Sequence, residues 1–243
     1  AYLGDHIPNF GDLVSAEKFS GGQSNPTFLL KTSQSQYVLR RKPPGELLKS
    51  AHAVDREYRV LSALADTPVP VAKVYHLCED DSVIGSMFYV MEYVDATVFW
   101  DPALPELTAQ QRGGLYREMS RVLAAIHSVD LHAAGLIDYG RPGNYFARQI
   151  DRWTKQYRAS ETEHLEGMEA LIDWLPANMP EDDGKVCLVH GDYRLDNLMF
   201  SHDASRVLAV VDWELSTLGH PYADLAYQCS QLRLSKDSEL SGL

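Results

Sequence analysis

Apolar positions recur along this chain with two different periods, and the period changes near residue 95. "TFLLKT" (27–32) and "QYVLRRK" (36–42) are short runs of aliphatic, aromatic and β-branched residues joined through the polar turn "SQSQ", which predicts a β-hairpin. "MFYVMEYV" (87–94) predicts a further strand. Between them, "KSAHAVDREYRVLSALADTPVP" places Val54, Tyr58, Leu61 and Ala65 on one helical stripe, which Pro68 and Pro70 stop. Past residue 95 the helical period dominates. Thr108 and Gln111 form a T-x-x-Q capping box, followed by Leu115, Met119, Val122 and Ile126 on one face. "YFARQIDRWTKQY" and "GMEALIDWL" predict two more helices. Three short apolar runs then follow: Val186–Val189, "NLMF" and "VLAVV". The pattern predicts a small strand-rich lobe, residues 1–94, and a larger helical lobe, residues 95–243, with a cleft between them.

Each of the last three runs meets polar residues of one kind. Asp192 and Asn197 stand five positions apart, in a D-x-x-x-x-N pattern directly after the first run. Asp212 ends the third run, fifteen residues beyond Asn197. This is the spacing of the protein-kinase catalytic loop and its metal-binding acid, where the first Asp orients the acceptor hydroxyl. Mg²⁺ is a hard cation that takes oxygen ligands from one or two protein groups and from nucleotide phosphates. One such residue at a strand end is ordinary turn chemistry; three at these offsets point to a phosphate-handling site. His190, between a strand and Gly191, reads as a hydrogen-bonded structural residue rather than a base or ligand.

Upstream residues complete the pattern. In "FSGGQSNPTF", Gly21, Gly22, Ser24 and Asn25 form a loop whose backbone N–H groups can approach phosphate oxygens. Glu57 lies on the edge of the apolar stripe, where positions 54, 57, 61 and 64 also share a face, and a carboxylate there needs a partner. Arg40 in the strand "YVLRRK" is the expected partner; Lys42, on the same face by strand alternation, competes for the role. "MFYVMEYVDA" would connect the lobes, with Glu92 and Val94 offering main-chain groups to a nucleotide base. The acidic stretches "SETEHLEGMEALIDW" and "PEDDG" read as solvated helix and loop surface rather than as a cation-binding site.

Composition narrows the classes. The chain has 243 residues, 45% of them apolar, which suits folded lobes with real cores and excludes a disordered segment. No apolar run is long enough to cross a membrane. Lys and Arg number 22 against 34 Asp and Glu, a formal net charge of −12, which argues against nucleic acid or an anionic membrane as partner. Cys78, Cys187 and Cys229 are few, odd in number and far apart, and the N-terminal residues lack a signal-peptide pattern, so a reducing, cytoplasmic setting is expected.

Taken together, "GGQSN", "VLR" with "DREYRVL", "HGDYRLDN" and "VVDWELSTLG" resemble the aminoglycoside phosphotransferase-like family, relatives of choline kinase and more remotely of protein kinases. The resemblance runs from about residue 15 to the end of the chain. "DWELSTLG" is most similar to a branch that includes stand-alone bacterial proteins and the kinase-like domain fused to acyl-CoA dehydrogenases in animals. It implies an α+β, two-lobed, protein kinase-like fold and an ATP- and Mg²⁺-dependent phosphotransferase acting on a small-molecule hydroxyl, aminoglycoside-like or hydroxy-acid or acyl-CoA-like. By motif, Asp192 is the expected catalytic base, Asn197 and Asp212 the Mg²⁺ ligands, Arg40 with Glu57 the phosphate-anchoring pair, and Asp224 in "YADLAY" a support for the catalytic loop. The chain departs from the family at His220, where an acid is expected before Pro221, and at Ala96, in place of a Gly. It also ends at Leu243, before the helices expected to wall the acceptor pocket. Two rival readings are a nucleotide-binding pseudokinase and a metal-dependent phosphohydrolase using His190, Asp192 and Asp212.

Overall fold

The computed structural model describes residues 2–19, 25–43, 53–231 and 233–234. A short helix, α1 (Tyr2–His6), precedes β1 (Leu13–Lys18), β2 (Thr27–Thr32) and β3 (Gln36–Arg41). Then come α2 (Val54–Leu64), β4 (Val74–Cys78) and β5 (Phe88–Glu92). The five strands form one antiparallel sheet in the order β1-β2-β3-β5-β4. The hairpin predicted over 27–42 is β2–β3, with Thr27 opposite Arg40. β4 was not anticipated: "VYHLC" is too short and too mixed to show a period.

Strand alternation divides the sheet's side chains between two cores. Tyr37, Leu39, Phe88 and Val90 face one way and, with Leu30 and Cys78, pack against Ile7 and Phe10 from the N-terminal segment. Arg40 lies opposite Tyr89 in the β3–β5 register, on the other face, where α2 sits. On α2 the buried residues are Val54, Glu57, Val60, Leu61 and Leu64. The stripe anticipated from Tyr58 and Ala65 is therefore rotated: Tyr58 is half-buried and Ala65 lies past the helix end, exposed.

The remainder is mainly helical: α3 (Ala109–His127), α4 (Tyr145–Ser160), α5 (Glu166–Ala177) and, after four short strands, α6 (Tyr222–Ser230). The Thr108/Gln111 capping box forms as anticipated, and Leu115, Met119, Val122 and Ile126 are buried along α3. The three apolar runs become β6 (Cys187–Val189), β7 (Leu198–Phe200) and β8 (Val207–Val210). β7 pairs with β8, while β6 pairs with β9 (Thr217–Gly219). The two ribbons leave the segments after β6 and after β8 (191–197 and 212–216) side by side, Gly191 lying against Leu215.

A large core joins α2, Tyr89 and Val69 to Leu115, Met119 and Ile126 of α3 and to Leu188, Leu198, Phe200, Val210 and Trp213. The chain leaves β5 at Glu92 and is bonded again at Thr97, which exchanges two backbone hydrogen bonds of 2.8 Å with Phe200. No helix among the described residues is long and apolar enough to cross a membrane. Cys78 and Cys187 are buried, Cys229 is exposed, and all three are free.

Candidate active site

Arg40 is the meeting point of the two halves. From the inner face of β3 its Nε lies 2.9 Å from Glu57 Oε2 on α2, and one of its terminal nitrogens donates to Asp212 Oδ1 at 2.6 Å. Glu214 Oε2 lies 4.0 Å from the same nitrogen. The Arg40–Glu57 contact is an ion contact rather than an aligned hydrogen bond, and neither Nε nor Oε2 has a hydrogen-bond partner among the described residues. Glu57 Oε1 instead accepts the backbone N–H of Trp213 at 3.3 Å. Lys42 lies past the end of β3 and does not reach Glu57; among the described residues the cation on Glu57 is Arg40.

Burial sets the electrostatics. Glu57 is 2% exposed, and desolvation raises its carboxyl pKa against the opposing pull of Arg40. Desolvation also works against the charge on Arg40, but Glu57, Tyr89 and Asp212 outweigh it and hold the guanidinium above its ordinary pKa. One cation thus faces Glu57, Asp212 and Glu214, a surplus of negative charge at the cleft.

The catalytic-loop segment is held from below. Asp224, 1% exposed at the start of α6, accepts the backbone N–H groups of His190 and Gly191, both at 2.8 Å. It also pairs with His127 Nε2 from α3 at 3.0 Å. His190 is fully buried. Its Nδ1 accepts the Asp192 N–H at 3.2 Å, so Nε2 carries the proton and donates to the Val211 carbonyl at 3.0 Å. Burial lowers the His190 pKa, as expected for a ring held neutral. Both ring nitrogens are committed to the backbone, which is the structural role read from the sequence. Gly191 has φ +87°, and a Cβ there would stand 2.7 Å from the Leu215 carbonyl oxygen. That close passage of the two loops explains the glycine.

Asn197 Nδ2 donates to both the backbone oxygen of Asp192 (2.9 Å) and its Oδ2 (3.0 Å). The Asn197 carbonyl accepts the Val211 N–H at 3.0 Å, which binds the first loop to the strand leading into Asp212. Asp212 itself has φ 64°, ψ 57°, a left-handed conformation uncommon for a residue with a side chain. Its carboxylate keeps 31% exposure while touching Arg40.

Other anticipated residues sit at the margins. Gly22 and Ser24 lie outside the described residues. Asn25 is buried and its Nδ2 reaches Glu214 Oε2 at 3.4 Å, so the end of that loop touches the Asp212 segment. Glu92 donates its N–H to Lys73 O at 2.8 Å and accepts the Lys73 N–H on its side chain at 3.3 Å. Val94 is half-buried two residues on. His220, where an acid was expected, is buried and pairs with Asp183 at 3.1 Å. In the acidic stretch that runs into α5, Glu161 and Glu169 both pair with Arg158.

Two contributors escaped the sequence reading. Glu214, two residues past Asp212, joins both Arg40 and Asn25; the acidic pair in "DWE" was its only signal. Tyr227 on α6 has its phenol pKa raised by burial and by the nearby charge of Asp192. Helical spacing from Asp224 was the available clue.

Residues 15–240 match the model of the "Phosphotransferase enzyme family". Among curated proteins, the chain is 52% identical over 227 residues to "Acyl-CoA dehydrogenase family member 10" of Mus musculus, covering 93% of the chain and 21% of that protein. It is 51% identical over 243 residues to "Probable acyl-CoA dehydrogenase IBR3" of Arabidopsis thaliana, covering 94% of the chain and 30% of that protein. The chain therefore spans between a fifth and a third of these relatives. A crystal structure from Ralstonia eutropha, provisionally named an aminoglycoside phosphotransferase, superposes with TM-score 0.88 and 53% identity over 100% of this chain and 72% of that one. An aminoglycoside phosphotransferase in complex with streptomycin and ATP shares the fold at TM-score 0.68 and 18% identity, over 95% of this chain and 75% of that one. With its two-lobed α+β fold and these motifs, the chain belongs to the phosphotransferase enzyme family.

Proposed function

We propose that the protein moves the γ-phosphate of ATP to a hydroxyl of a small molecule with the help of Mg²⁺. The observation that carries this reading is the contact of Arg40 with Glu57 and Asp212 together, from three separate elements. A strand cation oriented by a helix carboxylate, next to a metal-type acid, is the arrangement that kinase-type phosphoryl transfer needs for the nucleotide phosphates.

Arg40, set by Glu57, holds the phosphates, with Gly22, Ser24 and Asn25 as further nucleotide-binding residues. Main-chain groups of Glu92 and Val94 meet the base. Asn197 uses its amide nitrogen on Asp192, which leaves its Oδ1, with the Asp212 carboxylate, as oxygen donors of the type Mg²⁺ prefers. Bound there, the metal would neutralise phosphate charge. Asp192 orients the acceptor hydroxyl and takes its proton; the new bond is acceptor oxygen to Pγ, the bond broken is Pγ to the bridging oxygen, and ADP leaves. Residues 1–94 supply the nucleotide-binding part and 95–243 the catalytic part, in a cytoplasmic setting.

The acceptor class does not follow from fold. Structural relatives carry aminoglycosides and the sequence relatives are named as acyl-CoA dehydrogenases. The test is incubation with Mg²⁺ and γ-labelled ATP against aminoglycosides, choline, sugars, hydroxy acids and hydroxyacyl-CoAs, with Asp192→Asn as control. Label on one acceptor that vanishes in the control supports the reading. Tight ATP binding without transfer to any acceptor would make the protein a pseudokinase, and label released only as free phosphate would make it a hydrolase. The hydrolase reading has lost its third ligand, because both nitrogens of His190 are bonded to backbone.

A further inference from the structure

A cavity of about 520 Å³ opens beside the catalytic loop, bounded by Gly191 and by Glu214–Thr217 on one side and by α4 on the other. It is lined by three cations from three elements: Lys42 after β3, Arg56 on α2 and Arg152 on α4. Two acids also line it, Asp55 and Glu214. Glu214 is already turned to Arg40 and Asn25, and Asp55 is exposed in the first turn of α2. None of the three cations has a carboxylate within ion-pair distance among the described residues. Arg56 spends its guanidinium on the carbonyls of Tyr139 (2.9 Å) and Ser216 (3.3 Å) and on the Tyr139 ring, 4.2 Å away. Arg152 lies 5.4 Å from the Trp153 ring centroid, and Trp153 and Tyr145 give the cavity its aromatic wall.

A polycationic acceptor would meet like charge here, whereas an oxyanion meets guanidinium and ammonium groups that have no carboxylate partner among the described residues, beside the loop that carries Asp192. Building on the phosphotransferase reading, we propose that this cavity selects acceptors that carry, besides the hydroxyl, an oxyanionic group, carboxylate or phosphate, held by Lys42 and Arg152 with Arg56 behind them. An aromatic wall with adjacent cations also accommodates an apolar portion linking the two groups.

The experiment is calorimetric and does not depend on turnover. Mg-AMP-PNP is titrated first; failure to bind would count against the phosphotransferase reading and leave the cavity test intact. 3-Hydroxybutyrate and glycerol 3-phosphate, which separate carboxylate from phosphate, are then titrated alongside glycerol and streptomycin. At least one oxyanion probe is expected to bind more tightly than glycerol and streptomycin. Arg152→Glu, on an exposed helix face, should weaken it tenfold or more, Lys42→Gln should weaken it several-fold, and Arg152→Lys should largely restore it. Preference for streptomycin or glycerol, no binding of either oxyanion probe, or an Arg152→Glu affinity equal to wild type would each overturn the assignment.

Discussion

Arg40 and Asp212 face each other at 2.6 Å although 172 positions separate them, and the same guanidinium lies against Glu57. Removing Arg40 therefore does two things. It leaves Glu57, 2% exposed, as an uncompensated buried carboxylate, and it removes the cation proposed to hold the phosphates. Arg40→Met is expected to cost about 3–5 kcal/mol of stability, the usual loss when one partner of a buried pair is deleted. Urea unfolding monitored by circular dichroism measures this; a loss under 1 kcal/mol (roughly the value of a surface pair) would mean that the pair is solvent-screened.

With Asp192 in its proposed role on the acceptor hydroxyl, Asp192→Ala is expected to lower kcat by about 10²–10⁴ and leave nucleotide affinity nearly unchanged. Asp212→Ala should instead abolish the Mg²⁺-dependence of nucleotide binding. Steady-state kinetics and titration calorimetry separate the two, and a reversed pattern would exchange their roles.

Asp224 carries two backbone donors and one histidine. Asp224→Ala strips the two buried N–H groups of their acceptor at roughly 1–3 kcal/mol each and frees the loop that bears Asp192. Lower stability together with lower kcat is the expected result; unchanged kcat would confine Asp224 to folding.

Burial holds the His190 pKa below the ordinary 6.5. Below pH 6.5 the unfolded chain binds a proton that the folded chain resists, so the contribution of His190 is fully present above that pH and is lost as pH falls toward the lower folded value. Over that window stability falls with pH at a slope of up to about 1.4 kcal/mol per unit from this one group. Denaturant midpoints between pH 7 and pH 5 check it, and His190→Asn should flatten the slope.

Gly191→Ala places a methyl 2.7 Å from the Leu215 carbonyl oxygen on a backbone of φ +87°. The expected destabilisation exceeds about 1 kcal/mol, because strain and contact act together. A thermal midpoint equal to wild type would show that the Leu215 loop yields.

Residues whose partners lie close in sequence were the easiest to read. The Thr108/Gln111 cap and the α3 stripe follow from local spacing, as does the D-x-x-x-x-N loop. Glu57 was recognisable because a carboxylate on an apolar face must be paired, and Arg40 was the expected strand cation, with Lys42 on the same face as its competitor. What stayed hidden depended on contacts between distant segments. β9 forms only because Leu218 finds Leu188, and Tyr227 matters only because α6 comes back under Asp192. The choice between Arg40 and Lys42 also needed the end of β3, one residue before Lys42.

The large core draws Val54, Leu61 and Leu64 of α2 into the same cluster as α3 and the catalytic ribbons. Chain order assigns α2 to the first half of the molecule, but its apolar face is buried by the second. Such an arrangement couples the two halves into one cooperative unit: the fragment ending at residue 94 would expose the face of α2 and lose most of its reason to fold. Calorimetry should accordingly record a single unfolding peak whose van't Hoff and calorimetric enthalpies agree, rather than one peak for each half.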